Sequence, residues 1–254
     1  MSTRIFVVTA AGGNPTLIEI LKKEKGSPYY AKRGKELLEK FREFNPEQAG
    51  FLIPAQKRFE MSGGEFCGNA ARSAALILSR LYRRKTGAFN MSGYDGKVNW
   101  KILKQTPSQA LVVCEFPNLD AQMKEVLLSD SFPAKIVDLG GIVHVVITKK
   151  MPTDFATQHQ IITTELSLRE RAAVGVVWCS PTKDGLRINP VVWVKDIDTF
   201  FYETSCGSGS IAAGLVYGVS KIVQPTSQII WVGQKGTTTI LKSKMEIKNE
   251  RTEN

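Results

Sequence analysis

Short hydrophobic runs broken by polar turns divide the chain into many strands and few helices. A continuous apolar run over residues 5–11 predicts a buried first strand, and the patterns over 97–103 and 111–116 predict two exposed or half-buried strands. A helical spacing predicts one amphipathic helix near the N-terminus, with a common face formed by Leu37, Leu38, Phe41 and Phe44. Because helix and strand signals alternate irregularly, the pattern favours an α+β fold.

The second half of the chain contains the same mixture of elements. An apolar strand pair is predicted over 137–148, interrupted by Gly140 and Gly141, and a short helix is predicted over 165–173. The polar end, 244–254, is expected to fray after one last strand. Further strands are predicted over 174–179, 191–194, 228–232 and 238–241.

Two segments share an arrangement in which a cysteine joins a polar turn to a helix of small residues. The first is SGGEFCGNAARSAA, which starts at Ser62 and contains Cys67; the second is YETSCGSGSIAAG, which starts at Tyr202 and contains Cys206. The cysteines are 206 − 67 = 139 positions apart, which predicts two structurally equivalent domains of roughly 120 residues. The Pro-containing stretch 116–120 is the predicted crossing between them.

A cysteine at a helix start is placed for acid–base chemistry, because the partial positive charge of the helix N-terminus favours the thiolate. The open backbone N–H groups that follow each cysteine form a ready site for a carboxylate. If the two halves face each other, one thiolate removes the α-proton of a bound amino acid while the other thiol returns a proton. The residues predict a two-base racemase that needs no cofactor.

Composition and charge narrow the alternatives. With 43% hydrophobic and 23% charged residues the chain is typical of a globular protein, and it lacks the run of ~20 apolar residues that a membrane helix requires. The net charge of +10 permits an anionic partner, but basic and acidic residues are interspersed, so we expect neither nucleic-acid nor membrane binding. A basic binding module is the alternative, and it rests on charge alone.

Cysteine usage argues against a metal site and for a reducing compartment. The four cysteines lie at positions 67, 114, 179 and 206 without a C-x-x-C pair, and the chain has two histidines. We therefore expect no metal. Because free thiols are maintained in reducing surroundings, a cytoplasmic location is predicted.

The motifs E-F-C-G-N-A and E-x-S-C-G-S-G resemble the paired active-site motifs of the diaminopimelate epimerase-like superfamily. This resemblance implies two pseudo-symmetric domains, each a curved, mostly antiparallel sheet around a central helix, with the active site in the cleft between them. The implied domains are 1–117, completed by 245–254, and 118–244. The resemblance also implies a homodimer and closure of the two domains over a small-molecule amino-acid substrate.

Site residues follow from the motifs and the resemblance together. Cys67 and Cys206 are the predicted catalytic pair, and Glu203 is the candidate for the substrate ammonium. His144 is expected to be a packed structural residue. The predicted ligands of the α-carboxylate are the backbone N–H groups of Gly68, Asn69, Gly207 and Ser208. Substrate-side residues that the resemblance alone implies are Asn14, Glu47 and Gln48.

This sequence differs from true diaminopimelate epimerases at the positions that bind the second, distal carboxylate of diaminopimelate. Ile142 stands where the superfamily has an asparagine, and 199–202 replaces its E-R-G motif, so the arginine fork that binds this carboxylate is missing. A cationic or aromatic side chain is the better fit, and the motifs are similar to histidine racemases that supply D-histidine for opine-type metallophores. Pocket residues expected on this basis are Glu47, Glu60, Trp178, Phe200, Phe201 and Tyr202.

Three other reactions stay open on the sequence. One is diaminopimelate epimerisation with a rearranged distal site, and another is racemisation of a different basic or aromatic amino acid. A third is the isomerisation performed with a glutamate by a related branch of the superfamily, which the presence of both thiols disfavours.

Overall fold

The computed structural model describes residues 3–129 and 131–253, which form sixteen strands and four α-helices. In the first part of the chain these elements are β1 (Thr3–Ala10), β2 (Gly13–Ile20), α1 (Ser27–Lys40), β3 (Gln48–Ile53), β4 (Arg58–Met61), α2 (Gly68–Tyr82), β5 (Thr86–Met91), β6 (Tyr94–Gln105) and β7 (Gln109–Pro117). In the second part they are β8 (Gln122–Leu127), β9 (Pro133–Asp138), β10 (Val143–Ile147), α3 (Phe155–Glu165), β11 (Ala173–Thr182), β12 (Gly185–Val194), β13 (Thr199–Tyr202), α4 (Gly207–Tyr217), β14 (Lys221–Val223), β15 (Ile229–Lys235) and β16 (Thr238–Glu253).

Eight strands form a closed ring around α2. Strand β2 lies antiparallel to β1 and parallel to β3, β4 is antiparallel to β3 and parallel to β5, and β6 and β7 follow antiparallel. The last strand, β16, pairs with β7 through residues 238–246 and with β1 through 245–253, which closes the ring. Helix α2 is buried from Gly68 to Ser79 and packs against strands around the ring, among them β2, β6 and β7.

The same order of pairings occurs a second time. Strands β9 and β10 are antiparallel, β10 and β11 parallel, β11 and β12 antiparallel, β12 and β14 parallel, and β14, β15 and β16 antiparallel. Each parallel pair is joined through a helix, as parallel strands require. Helix α4 follows its strands as α2 does, and it is buried from Gly207 to Gly214.

Small residues let the two central helices be buried on every side and meet at their N-termini. Helix α2 carries Ala70, Ala71, Ala74 and Ala75, all fully buried. At the meeting point a Cβ on Gly207 would lie 2.9 Å from the backbone N of Asn69, so glycine is required by the close approach of two backbones.

Most predicted elements are confirmed. Residues 5–10 lie in β1, and the strands predicted over 97–103 and 111–116 lie within β6 and β7. The amphipathic helix is α1, whose Leu37 packs with Phe41 against a cluster on β1 to β3. The strand pair over 137–148 is the hairpin of β9 and β10, with Gly140 at a φ of +80° in the turn.

Two predictions of secondary structure were wrong. A helix was expected over 165–173, but α3 lies before this range and ends at Glu165. Ser167 takes a left-handed φ of 55°, which ends the helix, and the leucines on either side of it pack against a hydrophobic cluster. Residues 244–253 do not fray but belong to β16. Their backbone groups are paired with β1, a long-range interaction that polar side chains do not signal.

None of the helices in the described ranges has the length and apolar character needed to cross a bilayer.

Candidate active site

Both predicted cysteines cap helices. Cys67 is the N-cap of α2, in extended conformation (φ −131°, ψ 107°), and its Sγ accepts a hydrogen bond from the N–H of Ala70 at 3.4 Å. Cys206 is the N-cap of α4 (φ −135°, ψ 115°), and its Sγ accepts from the N–H of Gly209 at 3.2 Å. A thiol thus occupies the place where serine, threonine or aspartate usually satisfies the first helical turn. The prediction of a cysteine at each helix start is confirmed.

The two thiols line one narrow cavity of about 20 Å³, which has room for one water molecule. Eight of the ten predicted site residues line it: Glu47, Gln48, Cys67, Asn69, Glu203, Cys206, Gly207 and Ser208. Gly68 lies against Gly207 at the contact between the helix starts. Asn14 lies behind the cavity wall rather than in it.

Asn14 supports Gln48, which in turn contacts Cys67. The Cys67 thiol donates to Oε1 of Gln48 at 3.1 Å. The amide of Gln48 donates to Oδ1 of Asn14 and, at 2.9 Å, to Oγ1 of Thr16. A chain of hydrogen bonds from β2 therefore fixes the orientation of the amide beside one thiol.

Three hydrogen bonds hold the surroundings of the second cysteine. Oγ1 of Thr204 donates to Oε1 of Glu47 at 2.5 Å, and Nδ2 of Asn69 donates to the carbonyl of Ser205 at 2.8 Å. The backbone N–H of Cys206 donates to Oε1 of Gln224 at 2.8 Å. The first two bonds connect residues far apart in the sequence, so they join the turn before α4 to the residue preceding β3 and to α2.

Three carboxyl groups line the cavity; Glu65 is buried, whereas Glu47 and Glu203 are half-buried. Burial raises the pKa of Glu47 and of Glu65 to about 7 each, and burial together with the charge of Glu47 raises the pKa of Glu203 to about 8. No lysine or arginine lines this cavity in the described part of the chain. A cationic ligand would therefore meet carboxyl groups that have no lysine or arginine partner in the described cavity lining.

Arg72 is a buried cation near the two thiols. It lies on α2 with no exposed surface, and one of its NH2 groups donates to Oδ1 of Asn69. Burial lowers the pKa of its guanidinium to about 10, while the thiols raise it. Its charge therefore favours the thiolate at Cys67 and Cys206.

The helix N-terminus favours the thiolate as predicted, but burial in this narrow cavity acts more strongly in the opposite direction. Burial raises the pKa of Cys67 to about 12, and the negative charge of Glu203 raises it further, although the N–H groups of the first helical turn act in the predicted direction. The pKa of Cys206 is likewise raised well above its ordinary value by burial and by Glu203. Loss of solvent outweighs the field of the helix N-terminus.

The pocket wall differs from the prediction. Of the four expected aromatic residues only Phe201 lines the cavity; Trp178 and Tyr202 belong to a hydrophobic cluster outside it, and Phe200 packs against His159 with 5.1 Å between ring centroids. Alternation along β11 and β13 sends neighbouring side chains to opposite faces, which explains the difference. Glu60 also lies outside the cavity and pairs with Arg58.

Sequence reasoning missed the residues that form most of the wall. Ile142, Val192, Val194, Ile197 and Thr199 line the cavity beside Phe66, and their apolar runs signalled only buried strands. Glu65 also lines it, two positions before Cys67. Its place inside the motif was the available signal, but a polar turn does not show which way a side chain points.

His144 is fully buried and packs against Gly175, where a Cβ would lie 2.2 Å from its Nδ1. Burial lowers the pKa of His144 to about 3, so its imidazole is neutral at pH 7 and is a weak base.

Across residues 3–129 and 131–253, no group of three or more histidine, cysteine, aspartate or glutamate side chains is arranged to hold a metal ion.

Comparison with known sequences gives one family and named relatives. The family model described as the histidine racemase CntK N-terminal domain matches residues 12–250. Two histidine racemases, from two strains of Fusobacterium nucleatum subsp. nucleatum, are each 28% identical to the chain, over 208 and 207 residues, and each match covers 73% of both proteins.

Solved structures share the fold. A phenazine biosynthesis protein of the PhzF family from Bacillus anthracis aligns with a TM-score of 0.63 at 10% identity, over 100% of this chain and 99% of that one. An epimerase from Pseudomonas aeruginosa, assigned as such by prediction, aligns with a TM-score of 0.63 at 12% identity over 98% of both chains. At these identities the likeness establishes the mixed α+β fold alone.

Proposed function

Because the chain belongs to the family of the histidine racemase CntK N-terminal domain, and is therefore an isomerase, we propose that it interconverts L-histidine and D-histidine without a cofactor. The observation that carries the proposal is the pair of cysteines, each capping a buried helix and both lining one cavity. Cys67 and Cys206 exchange protons with the α-carbon from opposite sides.

The substrate α-carboxylate is held at the two helix starts. Asn69, Gly207 and Ser208 of the first turns of α2 and α4 line the cavity where the two helix starts meet, and the backbone N–H donors and dipoles of the two helix N-termini favour an anion there. The same donors, with the buried charge of Arg72, stabilise the negative charge that develops on the carboxylate when the α-proton leaves.

The substrate ammonium binds Glu203 with Glu47 nearby. Its positive charge offsets the carboxylate that raises the pKa of both thiols, so substrate binding itself favours the thiolate. One sulfur then takes the α-proton and becomes a thiol, while the thiol opposite gives its proton to the other face of the carbanion. The reverse reaction exchanges these two roles, and no other reactant is consumed.

The shape and charge of the cavity support histidine over diaminopimelate. A second carboxylate needs a cationic partner, and the described cavity lining contains neither lysine nor arginine. Its carboxyl groups and apolar wall suit an imidazole, which is neutral or cationic near pH 6–7.

We also propose that the active site lies in a cleft between two pseudo-symmetric domains, 1–117 with 245–254, and 118–244. The repeated order of strand pairing supports the two domains, and residues 118–121 connect β7 to β8 between them. Pairing of residues 245–253 with β1 supports the assignment of the C-terminal segment to the first domain. The homodimer and the cytoplasmic location stay predictions.

Proton exchange at the α-carbon tests the reaction. In D₂O with reductant and a chelator, we expect L-histidine to lose its α-proton NMR signal and D-histidine to appear by chiral chromatography. Cys67→Ser and Cys206→Ser are each expected to lower kcat by roughly 10²–10⁴-fold, the usual contribution of acid–base catalysis. Cys179→Ser is the matched control, because this buried thiol lies outside the cavity. Exchange on other amino acids but not on histidine would refute the substrate, and full activity in either active-site variant would refute the mechanism.

A further inference from the structure

Glu65 is the acid of the cavity to which the proton transfers give no role. Glu65 is 4% exposed and lines the cavity. Burial raises the pKa of its carboxyl and the backbone N–H groups of Glu65 and Gly63 lower it, but within the described residues its Oε2 has no hydrogen-bond partner. Oε2 of Glu47 also has no partner, but Oε1 of that residue is held by hydrogen bonds from Thr204. A buried carboxyl oxygen without a partner is uncommon in a folded protein, and it is explained when a ligand supplies the donor.

The unpartnered oxygen lies at the apolar end of the cavity. The Cβ position of Gly63 is 2.8 Å from Oε2 of Glu65 and 2.5 Å from Cγ1 of Val194, which places this oxygen near the wall that Val194 and Ile197 form. Glu203 hydrogen-bonds to the Cys206 thiol instead. Glu203 and Glu65 therefore differ in position: Glu203 contacts the Cys206 thiol, whereas Oε2 of Glu65 lies beside Val194, although the charge of Glu65 also raises the pKa of Cys67.

We propose that Glu65 determines substrate specificity by accepting a hydrogen bond from the ring N–H of an imidazole side chain. This inference rests on the proposed function, because it takes histidine as the substrate. The surrounding valine and isoleucine side chains offer a ring apolar contact on its faces, while Oε2 of Glu65 offers an acceptor at its edge.

The protonation of Glu65 suits an imidazole partner. Burial raises the pKa of Glu65 to about 7, close to the ordinary imidazole value of about 6.5. A proton shared between groups of similar pKa gives either a neutral pair or an ion pair, and both retain the hydrogen bond. An aliphatic ammonium stays charged at this pH and would need a permanently ionised partner.

Histidine analogues that lack the ring N–H test the inference without any change in the protein. L-3-(4-Thiazolyl)alanine keeps the shape of histidine but lacks the N–H donor, and the two N-methylhistidines each block one ring nitrogen. We expect the thiazole and one N-methyl isomer to lose at least roughly 10²-fold in kcat/KM relative to L-histidine, since a buried acceptor left unpaired rejects such analogues strongly. Equal kcat/KM for histidine and thiazolylalanine would overturn the inference.

Two variants of the protein, Glu65→Gln and Glu65→Ala, also test the role proposed for Glu65. Glu65→Ala removes the acceptor and is expected to lower kcat/KM for histidine, mainly through KM, and to reduce its preference over thiazolylalanine to less than about tenfold, whereas Glu65→Gln keeps an acceptor oxygen and is expected to retain part of the preference. Glu60→Ala is the matched control, a mostly buried glutamate that pairs with Arg58 outside the cavity. An unchanged preference in a folded Glu65→Ala variant contradicts the inference; if this variant fails to fold, the analogue series in the natural protein decides it. A natural protein that leaves histidine unchanged refutes the proposed function instead.

Discussion

At the scale of single residues, the cavity holds its acids in protonated form. Two thiols and three carboxyl groups share a space with no lining cation in the described chain, and burial raises the pKa of each. Such groups cost stability when they ionise, because the charged form has lost its water. Residues selected for a reaction are often placed where they weaken the fold.

The pH dependence of stability follows from the buried acids. The pKa of Glu65 is about 7 in the folded chain against an ordinary value of 4.5, so the folded state keeps a proton that the unfolded state releases. Its contribution is fully present below pH 4.5 and is lost as the pH rises through 7. We expect the free energy of unfolding in urea to fall between pH 5 and pH 8, and Glu65→Gln to reduce this fall by on the order of 2 kcal/mol. Parallel pH profiles for Glu65→Gln and the exposed control Glu115→Gln would contradict the prediction.

The sequence identified residues whose roles depend on local structure. It did not identify residues whose roles depend on the direction in which the side chain points. Cys67 and Cys206 were predictable, because a small-residue helix after a polar turn fixes a capping position. Phe200 and Tyr202 of β13 were misplaced, because neighbouring side chains along a strand point to opposite faces. Glu65 belongs to the polar turn before Cys67, and such a turn does not show which way a side chain points.

At the scale of elements, the contact between α2 and α4 sets the distance between the two thiols. A Cβ on Gly207 would meet the backbone C of Gly68 and N of Asn69 at 2.9 Å each. These are backbone atoms of a buried helix, so they have little freedom to move. Nδ2 of Asn69 reinforces the contact through its bond to the carbonyl of Ser205.

Gly207→Ala is expected to separate the helix starts by a few tenths of an ångström. We predict a loss of roughly tenfold to hundredfold in kcat/KM for α-proton exchange, because small displacements of catalytic groups are costly. Gly233→Ala is the control, since its Cβ would lie at an ordinary 3.7 Å from Ile240. Thermal unfolding of both variants separates a local displacement from a global loss of stability. Equal activity of the two alanine variants would show that the spacing is not critical.

Strands that pair far along the chain were the least predictable elements. The end of β16 has a polar sequence, but Met245 is fully buried and the strand is paired with β1, 235 or more residues earlier in the numbering (245 − 10). Periodicity reports burial of side chains, whereas this strand is held by backbone hydrogen bonds to distant partners. By contrast, local hairpins such as β9 and β10 were predicted with their turn.

At the scale of the whole molecule, the cavity at the candidate site is too small to hold an amino acid. The cavity of about 20 Å³ accommodates one water molecule, and an amino acid is many times larger. Hydrogen bonds across the site, from Thr204 to Glu47 and from Asn69 to Ser205, hold the two proposed domains together. Turnover therefore requires the wall or these contacts to open and close again.

Opening is expected to expose the thiols of Cys67 and Cys206, the proposed catalytic pair, to a small alkylating reagent. Solvation removes the burial that raises the pKa of Cys67 to about 12, so its thiol returns toward the ordinary value of 9.0 while open. With iodoacetamide and peptide mapping by mass spectrometry, we expect Cys67 and Cys206 to be modified at neutral pH, and saturating histidine to slow both reactions. Cys114 is the internal control, because it is buried in the core and should stay unmodified in the folded chain. If Cys67 and Cys206 were as unreactive as Cys114 in an enzyme that turns over histidine, entry of substrate through opening at the thiols would be refuted.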